Sequence, residues 1–242
     1  MTDVITHTSR RINAIGKKIK LSRYLEIGVE TGRTFFGINI DHKVAVDPRF
    51  LFDPSEYQSD CVELLSTTSD DFFNGYKGPK FDLIYIDGLH LFEQVFRDFT
   101  NALALTSQVG VVIVDDVFPS DVFSSFRDWN DAMELRRRLG GSSGDWHGDV
   151  YKMLFMVHDF FPSLSYAIVD DGSSNKQLVV WKKQRVGFEN IFNDMTQVSE
   201  ATYFDLIKYE DRFRIMGEDE LVALLSEDLM GLGAFSAEHD CA

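Results

Sequence analysis

Tyr24-Leu25-Glu26-Ile27-Gly28-Val29-Glu30-Thr31-Gly32-Arg33-Thr34-Phe35 sets a short apolar run against a turn with two glycines and the start of a helix. The run Tyr24 to Ile27, with β-branched and aromatic members, suits a buried parallel strand, and Thr31, Gly32 and Thr34 supply turn and helix-start chemistry. Gly28 and Gly32 are spaced G-x-x-x-G. The loop lacks the first-turn glycine pair of the fingerprint G-x-G-x-x-G, so close approach to a pyrophosphate is not what it offers. A ligand without phosphates fits better. Glu26 stands inside the strand, where a carboxylate is costly unless a cationic or hydrogen-bonding group meets it. An ordinary strand-turn-helix reads the same way, so the turn takes its meaning from the rest of the chain.

Downstream, Lys43-Val-Ala-Val-Asp47 is a second apolar strand ending in an acid. Asp47 lies 19 residues beyond Gly28, close to the separation at which an acid after the second strand of a mononucleotide-binding half receives ribose hydroxyls. Val62 to Ser66 reads as a third strand. Thr67 to Phe73 opens a helix in which Ser69 and Asp70 are caps first, with a second role toward a base or ribose at the sheet's carboxyl edge. Lys80 to Asp87 is the fourth strand, Leu91 to Ala104 an amphipathic helix, and Gly110 to Asp116 a fifth strand rich in β-branched residues. Leu164 to Val169 and Gln177 to Trp181 form a closing hairpin.

This alternation predicts an α/β fold: a Rossmann-like, doubly wound, seven-stranded, mainly parallel sheet with an antiparallel last strand and a helical C-terminal extension. We expect one domain, with a helical lead-in over 1–22, the core over 23–184 and the extension over 185–242. Val117 to Trp146 reads as a mobile cover or an inert insertion. The stripe Leu221, Leu224, Leu225 and Leu229 suits core packing, with a homodimer contact as its second use.

A chain of 242 residues with 44% hydrophobic and 26% charged residues and 21 Phe has ample material for one soluble core. Lys+Arg 24 against Asp+Glu 39 gives a net charge of -15, which disfavours nucleic acid and anionic membranes as partners. Two distant cysteines, Cys61 and Cys241, suit a reducing compartment, and neither a signal peptide nor a membrane span is legible. The expectation is a cytoplasmic protein with a small-molecule ligand.

Three carboxylates end two strands: Asp87 on the fourth, Asp115 and Asp116 on the fifth. Neighbouring strands lie about 4.8 Å apart, near enough for both to share one ion. Clustered carboxylates repel, and a divalent cation relieves the repulsion. All-oxygen ligation points to Mg²⁺, with Mn²⁺ or Ca²⁺ as substitutes. Helix or turn capping is the plain alternative. His90, three residues after Asp87, is a candidate base for a hydroxyl made acidic by such a cation, or else a surface histidine. His147, in Asp145-Trp-His-Gly-Asp149, is a second candidate base or substrate contact. Trp146 there reads as packing and Asp149 as a first-turn acid.

Together, Leu25 to Phe35, Val46-Asp47-Pro48, Phe81 to His90 and Val112 to Asp116 resemble the class I S-adenosylmethionine-dependent methyltransferases. More narrowly they resemble the metal-dependent small-molecule O-methyltransferases, including the macrocin-type sugar methyltransferases. The resemblance implies methyl transfer from S-adenosylmethionine to a hydroxyl of a sugar or other vicinal diol, with divalent-metal assistance. It implies that Glu26, Gly28 and Gly32, with Thr31 on the same turn, face the methionine part of the cofactor, Asp47 the ribose, and Ser69 and Asp70 the adenine. Asp87, Asp115 and Asp116 match the family's metal ligands. The turn Asp87-Gly-Leu-His-Leu-Phe-Glu93 departs from the acid-rich turn of the macrocin type. Two other readings stay beside this one: an NAD-type oxidoreductase, which the glycine spacing disfavours, and a non-catalytic ligand-binding or assembly module.

Overall fold

The computed structural model describes residues 5–172 and 176–233, the last four by their backbone alone. Val4 of the lead-in, part of the hairpin loop, and the acidic end with Cys241 lie outside the described residues. Eight strands form one sheet in the order β3-β2-β1-β4-β5-β7-β6-β8. They are β1 (Arg23–Ile27), β2 (His42–Val46), β3 (Val62–Leu65), β4 (Phe81–Ile86), β5 (Thr106–Val114), β6 (Ser165–Val169), β7 (Gln177–Trp181) and β8 (Ile215–Met216). β1 runs parallel to β2 and β4, and β2 to β3, while β6 and β7 are antiparallel. This is the mostly parallel Rossmann-like sheet expected. The eighth strand is an addition: its two residues pair in parallel with β6, too few to show an alternation in sequence.

The helices are α1 (His7–Ile19), α2 (Arg33–Phe36), α3 (Ser69–Gly75), α4 (Phe92–Leu105), α5 (Trp129–Arg138), α6 (Lys152–Phe160), α7 (Met195–Glu200), α8 (Tyr203–Lys208) and α9 (Glu218–Gly233). No helix among the described residues is long and apolar enough to cross a membrane. Contacts divide the chain into two compact units.

The first unit holds the chain up to Gly88, Asp98–Ile113 and the segment from Gly217. Its ladders run one residue past the strands: Gly28 donates its amide to Val46, Asp87 to Ile27 and Asp47 to Leu65. The residues read as site candidates therefore stand level at the carboxyl edge of β2, β1 and β4. α1 is closed by a reciprocal cap between Thr6 and Ser9, and Arg10 and Arg11 both reach Glu218 of α9. Leu221, Leu225 and Leu229 are buried, so the tail stripe serves core packing. α2 is a single turn, ended at Gly37, where Lys43 Nζ donates to the carbonyls of Phe35 and Ile38.

The second unit holds Leu89–Arg97 and Val114–Met216. Residues 117–146 are stitched down. Buried Arg136 binds Asp121 and the carbonyls of Ser143 and Asp145, Trp146 Nε1 donates to Phe126, and the His147 amide donates to Ser124. Burial opposes the charge of Asp121, but donation from Arg136 and Ser124 outweighs it and holds its pKa at about 2. Arg185 caps the end of α6 by donating to the carbonyls of Val157, His158, Phe161 and Leu164.

His158 is buried between them. Its Nε2–H donates to the Glu189 carbonyl at 2.9 Å, and its Nδ1 accepts the Tyr166 hydroxyl at 2.7 Å. Burial pushes its pKa below the usual imidazole value, with Asp159 pulling the other way. An imidazole whose folded pKa is depressed binds its proton more readily in the unfolded chain, so stability falls as pH drops from about 6.5 toward the folded pKa and levels off below it. Thermal melts across pH 5 to 8 should show that slope, and His158→Gln should flatten it. An equal slope in the variant would assign the effect elsewhere.

Candidate active site

In the first unit, Gly28 takes a left-handed φ of 84°, and a Cβ there would stand 1.9 Å from the Asp87 carbonyl oxygen. Glycine is required because the end of β4 occupies that space. Gly32 (φ 74°) repeats the conformation beneath the rings of Phe36 and Phe52, while Thr31 between them is exposed. Glu26 is buried, and the Tyr24 hydroxyl donates to its Oε2 at 2.5 Å. Burial first, and Glu26 second, raise the Tyr24 pKa well above the usual phenol value.

Asp47 is buried and heavily engaged. Its Oδ2 accepts the amides of Val29 and Glu30, both at 2.8 Å, and its Oδ1 accepts the Arg49 amide at 2.7 Å. The N-cap of α3 is Thr68, which accepts the Asp71 amide. Ser69 and Asp70 thus lie in the first turn, half-buried, and the capping expected of them falls one residue earlier. Asp87 accepts the Tyr85 hydroxyl at 3.1 Å.

In the second unit, Asp116 takes a left-handed φ of 58°, a conformation a short polar side chain tolerates at some cost. Its Oδ2 stands 2.9 Å from His90 Nε2 and its Oδ1 3.5 Å from His147 Nε2. Asp115 does not join the pair: its Oδ1 accepts the Asp116 amide and so shapes the turn. His90 Nδ1 lies 3.0 Å from the Trp146 carbonyl. A carbonyl can only accept, so Nδ1 carries a hydrogen, and Nε2 faces a carboxylate. That contact is favourable when a proton or a cation lies between the two. Both ring nitrogens are engaged, which leaves none for a substrate proton.

The segment read as packing and a first-turn acid is a clamp on the His90 turn. The Trp146 ring stacks on the His90 ring at 5.1 Å. Gly148 (φ 60°) lets its backbone press on the His90 carbonyl, where a Cβ would approach to 1.8 Å. Asp149, 1% exposed, accepts the Phe92 amide at 2.8 Å and pairs with Arg127 and with Lys152. The signal for this was a glycine between a histidine and an acid, whose partner 57 residues upstream is invisible in one sequence. His147 Nδ1 is buried and has no hydrogen-bond partner.

Residues 25–117 match the family described as "Methyltransferase domain". Among solved structures, an O-methyltransferase from Bacillus cereus in complex with SAH is 18% identical, with 75% of this chain and 84% of that chain covered at a TM-score of 0.50. Cofactor-bound Rv0187 from MTB is 17% identical over 75% and 83% of the two chains, with a TM-score of 0.51. The plantazolicin methyltransferase BpumL, in complex with a monoazolic desmethylPZN analog and SAH, is 12% identical over 73% and 83%, with a TM-score of 0.51. At such identities the likeness speaks for the fold. A search of curated protein sequences returned no match.

Proposed function

We propose that the protein transfers a methyl group from S-adenosylmethionine to a hydroxyl oxygen of a small molecule, a sugar or other vicinal diol, in the cytoplasm and with a divalent cation. What carries the reading is the His90–Asp116 pair, in which Nε2 faces a carboxylate oxygen at 2.9 Å, together with a methyltransferase-domain match over residues 25–117. Two ligands bound at about 2.1 Å and 90° to one another lie roughly 3.0 Å apart, so this spacing fits neighbouring ligands of one ion. In the second unit the donors are His90 and Asp116, and Asp87 precedes His90 by three residues in the sequence. An imidazole beside a carboxylate suits Mn²⁺ as well as Mg²⁺. Such an ion lowers the pKa of a coordinated hydroxyl.

The chain's own part is to hold and orient. Trp146 fixes the His90 tautomer, and Asp115 shapes the turn that aims Asp116. His147 is the imidazole left to receive the substrate proton. A ligand set this small leaves room for two substrate oxygens, which favours a vicinal diol over a lone hydroxyl. Glu26, Gly28, Thr31, Gly32, Ser69 and Asp70 are assigned to the cofactor's surroundings, and the strong negative charge keeps nucleic acid and anionic membranes out of the partner list.

Calorimetric titration with S-adenosylmethionine, then Mn²⁺ or Mg²⁺, tests this on the parent and on Asp116→Asn. The parent should bind both, and the variant should lose at least about tenfold in cation affinity, or 1.4 kcal/mol. A parent that ignores the cofactor ends the methyltransferase reading; undiminished cation affinity in the variant ends the metal alone.

A further inference from the structure

We propose that the end of the sheet at β8, with the adjoining face of α8, docks a second copy of this chain edge to edge in a transient two-fold dimer. This surface is independent of the methyl-transfer chemistry. The two ends of the sheet differ in how their backbone groups are met. At β3, the amides of Lys43 and Asp47 donate to the carbonyls of Cys61 and Leu65, so the amides and carbonyls of Val62 and Leu64 face outward. The chain caps all four itself. Ser59 exchanges both backbone bonds with Val62, and the Gln58 side chain donates to the Leu64 carbonyl at 2.7 Å and accepts the Leu64 amide at 3.3 Å. That end is closed to a further strand.

At the other end β8 is the last strand. The Ile168 amide donates to the Arg214 carbonyl and the Asp170 amide to the Met216 carbonyl. In a parallel ladder bonded through those two residues, the amide and carbonyl of Ile215 between them point away from β6. They face the side of a groove lined by Ile207, Lys208, Glu210, Asp211, Phe213 and Ile215. Its shoulder is apolar and uncovered: Phe204 is 70% and Ile207 46% exposed, three residues apart on one face of α8. Outward backbone groups beside exposed apolar side chains are what an added strand covers.

Charge selects the occupant. At a net charge of -15 two copies repel, so self-association needs a contact of balanced charge. Here Lys208 and Arg212 stand against Glu210 and Asp211. Glu210 is paired with Lys176 and Arg212 with Glu189, which leaves Lys208 and Asp211 as the groove charges that meet a partner. A two-fold axis sets this patch against its own copy, so Lys208 of each chain faces Asp211 of the other. A two-residue strand and one short helix face make a small contact, and the dimer is weak, with a Kd on the order of 10–100 µM.

Sedimentation and amide hydrogen exchange on the full chain over a range of concentrations test this in the parent, in Ile207→Glu, Lys208→Glu and Asp211→Lys, and in the double variant that exchanges both charges. All three side chains are exposed, so the variants should keep the parent's circular dichroism and melting temperature. The parent should dimerise, and each single variant should weaken the dimer by about tenfold or more. Asp211→Lys lowers the overall charge and should weaken it all the same, which separates a local pairing from general repulsion. The double variant puts opposite charges back across the two-fold and should recover most of the parent's affinity, which structural damage would not do. The Ile215 amide should exchange more slowly as concentration rises. A parent that stays monomeric up to about 1 mM overturns the proposal, and a dimer that survives all three single variants does so too, because it then forms elsewhere. Failure of the double variant to recover affinity overturns the two-fold pairing of Lys208 with Asp211. Unchanged exchange at Ile215 in a dimer that the variants abolish overturns the edge-to-edge contact.

Discussion

Gly28→Ala should cost more than about 4 kcal/mol of folding stability, a large share of what a domain of this kind possesses. Two effects add. Alanine at a left-handed φ costs roughly 1–2 kcal/mol on conformation alone. The new Cβ must also come within 1.9 Å of the Asp87 carbonyl oxygen and 2.8 Å of Gly88 Cα. Neither neighbour is the tip of a flexible side chain; both are backbone at the end of β4. Relief requires separating β1 from β4 where Asp87 donates to Ile27. Gly140 supplies a matched control, with the same φ of 84° and nothing within 4 Å of its would-be Cβ. Gly140→Ala should show the conformational cost alone. Urea unfolding of both variants separates the terms, and equal losses would mean that the close approach to Asp87 contributes nothing.

That contrast also marks what one sequence reveals. The strands were legible because burial on both faces writes long apolar runs: Val111 to Val114 are all nearly inaccessible, as a strand covered on both faces requires. Gly28 was legible as a turn residue, but not as a contact with Asp87, because the pairing of β1 with β4 spans some 60 residues. Asp47 was legible as an acid at a strand end. Its engagement with Val29 and Glu30 depends on how the turn folds back, which no spacing rule encodes. Asp115 and Asp116 read as equivalent, and a single backbone torsion separates them. The left-handed φ of Asp116 sends its carboxylate to His90, while the Asp115 carboxylate returns to the Asp116 amide. Side-chain direction after a strand is set by torsions of one residue, whereas hydrophobic period averages over many.

The same limit hid Asp149, and its removal is expected to be the most damaging side-chain change in the second unit. Asp149→Ala should lose about 3–5 kcal/mol, because it leaves Lys152 buried beside Arg127 without their shared anion and orphans the Phe92 amide. Asp149→Asn keeps an acceptor for that amide and should lose less. Glu93 gives the comparison: it is the other carboxylate on Arg127, at 2.9 Å, but 62% of its side chain is exposed. Glu93→Gln should therefore cost no more than about 1 kcal/mol. The damage should also reach the site, since Phe92 is two residues from His90, and Gly148 and Trp146 hold the His90 carbonyl and ring from the same segment. ¹⁵N NMR of the imidazoles should find His90 held as the Nδ1–H form in the parent and in Glu93→Gln, and averaged between tautomers in Asp149→Ala. Urea unfolding gives the energies. If Asp149→Ala costs no more than Glu93→Gln, the carboxylate is not what anchors the turn; if it unfolds easily yet leaves the His90 tautomer fixed, the anchor serves stability and the Trp146 carbonyl alone sets the ring.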